Sequence, residues 1–166
     1  LEMLTAIGDN QIPPGMAQHD MVWILCHLGG EEPRELQVTL RRSLLTIAII
    51  HNDARSVGLI IAYGGLTVED VSANGYYAFC WACEKGHEAI ARGMFSLGLT
   101  LADVRANHNR AFLLACENGH EAIARWLFSL GLALEDVQAD DALRWARKRG
   151  HESIVRWLCD ELGVHK

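Results

Sequence analysis

The chain has no apolar run long enough to cross a membrane. Its longest, Leu44–Ile50, is interrupted by Thr46 and falls far short of the ~18 residues a span requires. It also lacks an excess of positive charge. The formal net charge is −6, and general affinity for nucleic acid or an anionic membrane surface needs a positive field. Five cysteines, at 26, 80, 83, 116 and 159, show no framework spacing, and no basic segment followed by an apolar one opens the chain. Scattered, odd-numbered cysteines without a secretory signal lead us to expect a reducing, cytoplasmic setting, which for a viral or intracellular-pathogen protein is the host cytosol. The glycine-rich phosphate loop, the Gly-x-Ser-x-Gly elbow and the Cys/His/Asn arrangement are all missing, so no common catalytic motif is available. The opening Leu1-Glu2-Met3 reads either as two residues added before a native start or as the edge of an excised fragment.

What is present is repetition. Gly-His-Glu-Ala-Ile-Ala-Arg occurs at Gly86–Arg92 and again at Gly119–Arg125, 33 residues apart, and Gly-His-Glu-Ser-Ile-Val-Arg stands at Gly150–Arg156. Leu97–Leu101 and Leu130–Leu134 repeat at the same interval of 33. A fixed period of this size marks stacked supersecondary units. Each unit has two stretches of helical period separated by Gly-His. Ala111–Asn118 and Glu121–Leu130 form one pair, with Ile123, Trp126, Leu127 and Leu130 facing inward and Gly131 ending it. Ala78–Lys85 with Glu88–Leu97 repeats it. An earlier copy, Leu44–His51 with Ala54–Tyr63, has Asn52-Asp53 in place of Gly-His. The last, Ala142–Arg149 with Glu152–Leu162, carries one extra residue in its second helix. Met3–Gly8 and Met16–Leu28 look like an N-terminal helix pair. Helices this short need neighbours to stay folded.

The units therefore divide as 1–30, 31–65, 66–98, 99–131 and 132–163, all within one domain. In the last, Arg147 takes the position of Cys83 and Cys116, and Arg144, Lys148 and Arg149 surround it. Such charge is expected on a terminal unit that no further repeat covers, and the array is expected to stop near Lys166. In the connectors, Thr67 is followed by Glu69 and Asp70, and Thr100 by Asp103. A Thr N-cap with acidic residues in the next turn predicts a short helical or 3₁₀ turn near 67–71 and 100–104.

A helix, Gly-His, a second helix, then Leu-Gly and a connector at 33 residues resembles the ankyrin repeat. Tyr77–His87 and Arg110–His120 align without gaps to that family's first helix and Gly-His, although Thr-Pro-Leu-His is absent from every copy. The Leu-Thr-x-Glu-Asp-Val connector style is similar to arrays of giant viruses and protists. The resemblance implies an all-α solenoid of stacked helix-turn-helix units with short connectors. It further implies a non-catalytic, monomeric protein that grips a partner protein, with no cofactor and no metal. The gripping surface would be a concave face of connector tips and first helices. Transferred position by position, that face comprises Arg41, Arg42, Asn74, Tyr76, Tyr77, Trp81, Glu84, Lys85, Arg105, Asn107, Asn109, Arg110, Glu117, Asn118, Asp140, Trp145, Lys148 and Arg149. Tyrosines and arginines are common hot-spot types.

Other constellations have spacings associated with chemistry. Cys80-Trp-Ala-Cys83 has redox or metal spacing, but its register puts both thiols inside a first helix, where free cysteine packs as a small hydrophobe. His87, His120 and His151, with Cys83 and Cys116 four residues before the first two, invite zinc; Arg147 breaks the pattern, and stacking would hold the pairs apart. Glu88, Glu121 and Glu152 do not complete a His-Glu-x-x-His motif. These histidines are expected to be structural, at the joint between helices. Trp126 and Trp157 share one register position, expected to be stacking core, where Gly93 is the exception. A redox or metal protein using Cys80 and Cys83, and a scaffold self-associating through a stack end or the Trp-bearing backs, are the competing readings.

Overall fold

The computed structural model describes residues 34–62, 67–133 and 139–164. The N-terminal pair expected within 1–30 lies outside the described residues. The fold is all-α, with no strand among the described residues. Four helix pairs follow one another: α1 (Arg34–Ile50) with α2 (Ala54–Ala62), α3 (Val68–Glu84) with α4 (Glu88–Phe95), α6 (Ala106–Glu117) with α7 (Glu121–Ser129), and α8 (Ala139–Arg149) with α9 (Glu152–Arg156). A one-turn helix, α5 (Leu101–Val104), precedes α6. The first helices α1, α3, α6 and α8 lie side by side in chain order. No described helix is long and apolar enough to cross a membrane.

The joint inside each pair has one construction. The N–H of Gly86 donates to the Cys83 carbonyl and that of His87 to the Ala82 carbonyl. Gly119 and His120 do the same to Cys116 and Ala115, and Gly150 and His151 to Arg147 and Ala146. This paired capping needs a residue with positive φ, and Gly86, Gly119 and Gly150 have φ of 78°, 84° and 79°. In the first pair Asn52 adopts φ 52°, being the next residue able to do so. Its neighbour Asp53 bonds the Ser56 backbone N–H through Oδ1 at 3.0 Å, so a side-chain cap opens α2 where the histidines open the later second helices without one.

The two connectors that start at Thr67 and Thr100 are helical, as those residues predict. Each is an N-cap closed by a reciprocal capping box, Thr67 with Asp70 and Thr100 with Asp103. The first helices extend further toward the N-terminus than their apolar periodicity indicates, because these connector turns run into them. A left-handed joint marks the passage, at Tyr76 (φ 62°) and at Asn109 (φ 56°), which is its equivalent one repeat on. The extra residue of the last second helix is absorbed in a π-helical turn, Trp157–Glu161, the usual way a helix accommodates one inserted residue.

The core runs between the pairs. Ala48, Ala82, Ala115 and Ala146 occupy one register position and are all 0% exposed, which lets consecutive first helices approach closely. Trp126 packs edge-on against Phe79 and Phe95 of the preceding repeat, at 6.4 and 5.7 Å, with the Arg92 guanidinium 4.7 Å from the ring. Trp157 repeats this against Phe112, Phe128 and Arg125, at 6.2, 5.9 and 5.0 Å. Both tryptophans are buried, as their shared register implied.

Candidate functional site

The histidines are part of the stack. The His120 ring lies on the preceding repeat so closely that a Cβ at Gly86 would meet it at 2.6 Å, and the His151 ring stands in the same relation to Gly119. His120 Nε2 donates to the Glu84 carbonyl at 2.8 Å. A carbonyl can only accept, so Nε2 carries the proton. His87 bonds the Ile49 backbone, and burial, followed by the nearby His120 and Lys85, holds its pKa below the ordinary value. Among the described residues no three His, Cys, Asp or Glu side chains gather to hold a metal.

Cys80 and Cys83 lie within α3, away from the helix start that lowers a thiol pKa. Burial pushes the Cys80 thiol up to about 11, against a smaller opposing effect of Arg110. It pushes Cys83 and Cys116 higher still. Neither member of the pair sits in the exposed, electropositive setting of a reactive cysteine.

The surface transferred from the ankyrin resemblance separates into two groups. The first bonds repeat to repeat. Tyr76 donates its hydroxyl to Asp103 of the next capping box, and that bond raises the Tyr76 pKa. Hydrogen bonds from Thr100, then from Tyr76, lower the pKa of Asp103. One repeat earlier, Arg42 approaches Asp70 of the following capping box at 3.6 Å. Asn109, the equivalent of Tyr76, is 5% exposed, so its side chain is withdrawn from the surface. Arg149 joins Glu117 across the last joint at 2.8 Å. The side chains of Arg41, Asn74 and Asn107 lie outside the described residues.

The second group faces outward from the first helices. Tyr77 is 62% exposed, and its ring is tilted against Trp81 at 5.8 Å. Trp81 is half-buried, as are Leu114 and Trp145, its register equivalents in the next two repeats. Leu114 was not among the residues the resemblance supplied; the 33-residue step from Trp81 would have found it. Around this row stand Glu84 with Lys85 at 3.1 Å, exposed Arg105 and Arg110, and Asn118, whose side chain donates to the Leu114 carbonyl at 2.9 Å. Lys148 and Arg144 lie 4.6 and 5.4 Å from the Trp145 ring, and Asp140 is exposed at the head of α8.

On this face half-embedded aromatic rings stand beside cationic side chains. The chain matches no known protein-family profile and no curated protein.

Proposed function

We propose that this chain is an ankyrin-type stack that serves as a non-catalytic protein-interaction module, holding a partner protein on the outward face of its first helices. The observation that carries this reading is Tyr77, 62% exposed with its ring tilted against Trp81. A large aromatic held rigidly at the surface is a strong binding anchor. The distribution of sequence identity supports the same conclusion. The residues common to the repeats, Gly-His and the alanines, are used between repeats, whereas the outward register position of Tyr77 holds Arg110 one repeat on, and that of Trp81 holds Leu114 before returning to tryptophan at Trp145. Buried, high-pKa thiols at Cys80 and Cys83 favour packing over redox chemistry.

The test is affinity capture with the full chain as bait, identifying bound proteins by mass spectrometry. The double substitution Tyr77→Ala with Trp81→Ala should abolish capture while a cooperative thermal transition is kept. A parallel triple substitution at Arg42, Tyr76 and Asn109 should instead lower the melting temperature, since those residues bond or pack within the stack. Capture unaffected by the double substitution defeats the proposal.

A further inference from the structure

The reading above leaves the partner's chemistry open, and the charges on the first-helix face restrict it. The chain carries a net charge of −6, yet the carboxylates of this face are already engaged. Glu84 is bonded to Lys85, Glu117 to Arg149 and Asp141 to Arg144, at 3.1, 2.8 and 2.8 Å, and Asp140 has a partner of its own. Two cations remain without a carboxylate partner among the described residues, Arg110 and Lys148. Arg110 is exposed on α6, one turn before Leu114. It also holds the register position of Tyr77. Lys148 lies over the Trp145 ring. The two charges therefore stand along the row Trp81, Leu114, Trp145, one a turn from Leu114 and the other over Trp145. On the second-helix side Arg92 and Arg125 are bound by Glu88, Glu121 and Glu161.

Resting on the proposed function, we propose that the occupant of this face is an acidic protein segment carrying an aromatic or leucine side chain. The apolar anchor would pack on Trp81 and Leu114, and carboxylates on either side would meet Arg110 and Lys148. Exposed charges contribute mainly discrimination and association rate, while the buried anchor contributes affinity. Two cations on a chain of net charge −6 are too few to track a phosphate backbone, which is bound through many neutralised phosphates. A peptide carboxylate pair needs no more than this.

The experiment is selection of a displayed random-peptide library on the full chain, followed by anisotropy measurements on the enriched peptides. Enriched peptides are expected to be acidic with a Trp, Phe or Leu. Their binding should weaken at least about tenfold on Tyr77→Ala, and by a similar factor on the charge reversal Arg110→Glu with Lys148→Glu. Exchanging the peptide's acids for lysine should restore binding to the reversed variant. All three substituted residues are exposed, so thermal melts should stay close to the parent. Neutral or basic peptides that still lose affinity on Tyr77→Ala would overturn the acidic assignment and leave the proposed face standing. Peptides indifferent to Tyr77→Ala, or an empty selection, would overturn both. Displacement of the peptides by a single-stranded oligonucleotide would overturn the choice of a protein partner.

Discussion

Gly119 and Gly150 end equivalent helices with nearly the same backbone, φ 84° and 79°, yet one is covered and the other is bare. A Cβ at Gly119 would strike the His151 ring at 2.6 Å, whereas one at Gly150 would meet nothing within 4 Å. The difference separates two reasons for glycine that coincide inside the stack. One is conformational and holds at every joint. The other is the approach of the next histidine ring, seen at Gly86 and Gly119. The same contrast runs through the neighbouring positions. Cys116 is fully buried beneath the next pair, while its equivalent Arg147 is exposed. Beyond it lies an open hollow of about 450 Å³ lined by Arg147, Gly150, Val155 and Cys159 among others.

The joints between repeats should be the costliest places to damage. Trp126→Ala removes the ring that Phe79, Phe95 and Arg92 enclose, and a cost of about 3–5 kcal/mol is expected from chemical denaturation. A loss below about 1 kcal/mol would mean the tryptophan stack is peripheral. Gly119→Ala should cost about 2–4 kcal/mol, combining left-handed strain with displacement of His151. Gly150→Ala should cost only the strain, about 1–2 kcal/mol. Equal losses at the two glycines would show that the imidazole contact contributes nothing, which would break the comparison.

The period of 33 residues made the helix pairs, the Gly-His joints and the tryptophan register legible, because each is set by local backbone chemistry or by apolar spacing. Thr67 and Thr100 likewise announced helical connectors. What the sequence could not show was which polar residues would be spent between repeats. Arg42 and Tyr76 look like surface hot spots until the capping-box carboxylates of the next repeat are seen beside them. Those partners are 28 and 27 positions along the chain, nearer than one full period. Asn109 was hidden by the same logic, since its left-handed joint depends on how the connector helix enters the first helix. Leu114 escaped notice because a lone leucine carries no polar signal, and only its alignment with Trp81 and Trp145 gives it meaning.

The tryptophan register also has a member without a side chain. Gly93 holds the position of Trp126 and Trp157 within α4, where a Cβ would make only ordinary contact with Ile61 at 3.6 Å. No positive φ is required there, so Gly93→Ala should stabilise the fold by up to about 1 kcal/mol through helix propensity. Gly58 in α2, with open space around its Cβ position, should gain a similar amount and serves as the reference. A loss at Gly93 beside a gain at Gly58 would reveal close inter-repeat packing at that point.

The smallest expected effect concerns pH and distinguishes one histidine from the common joint. His87 has its pKa held below the ordinary value of 6.5, first by burial. As pH falls through about 6.5 the unfolded chain takes up this proton before the folded one, so folding loses stability toward acid. Its contribution is present above that pH and declines below it, before the lowered carboxylates Asp103 and Glu121 begin to titrate. His87 is only partly buried, so solvent screening keeps the term small. The melting temperature should decrease from about pH 7 to about pH 5.5, with a shallower slope in His87→Gln. An unchanged slope in that variant would assign the acid sensitivity to the carboxylates, leaving His87 as a packing element of the same kind as its counterparts on Gly86 and Gly119.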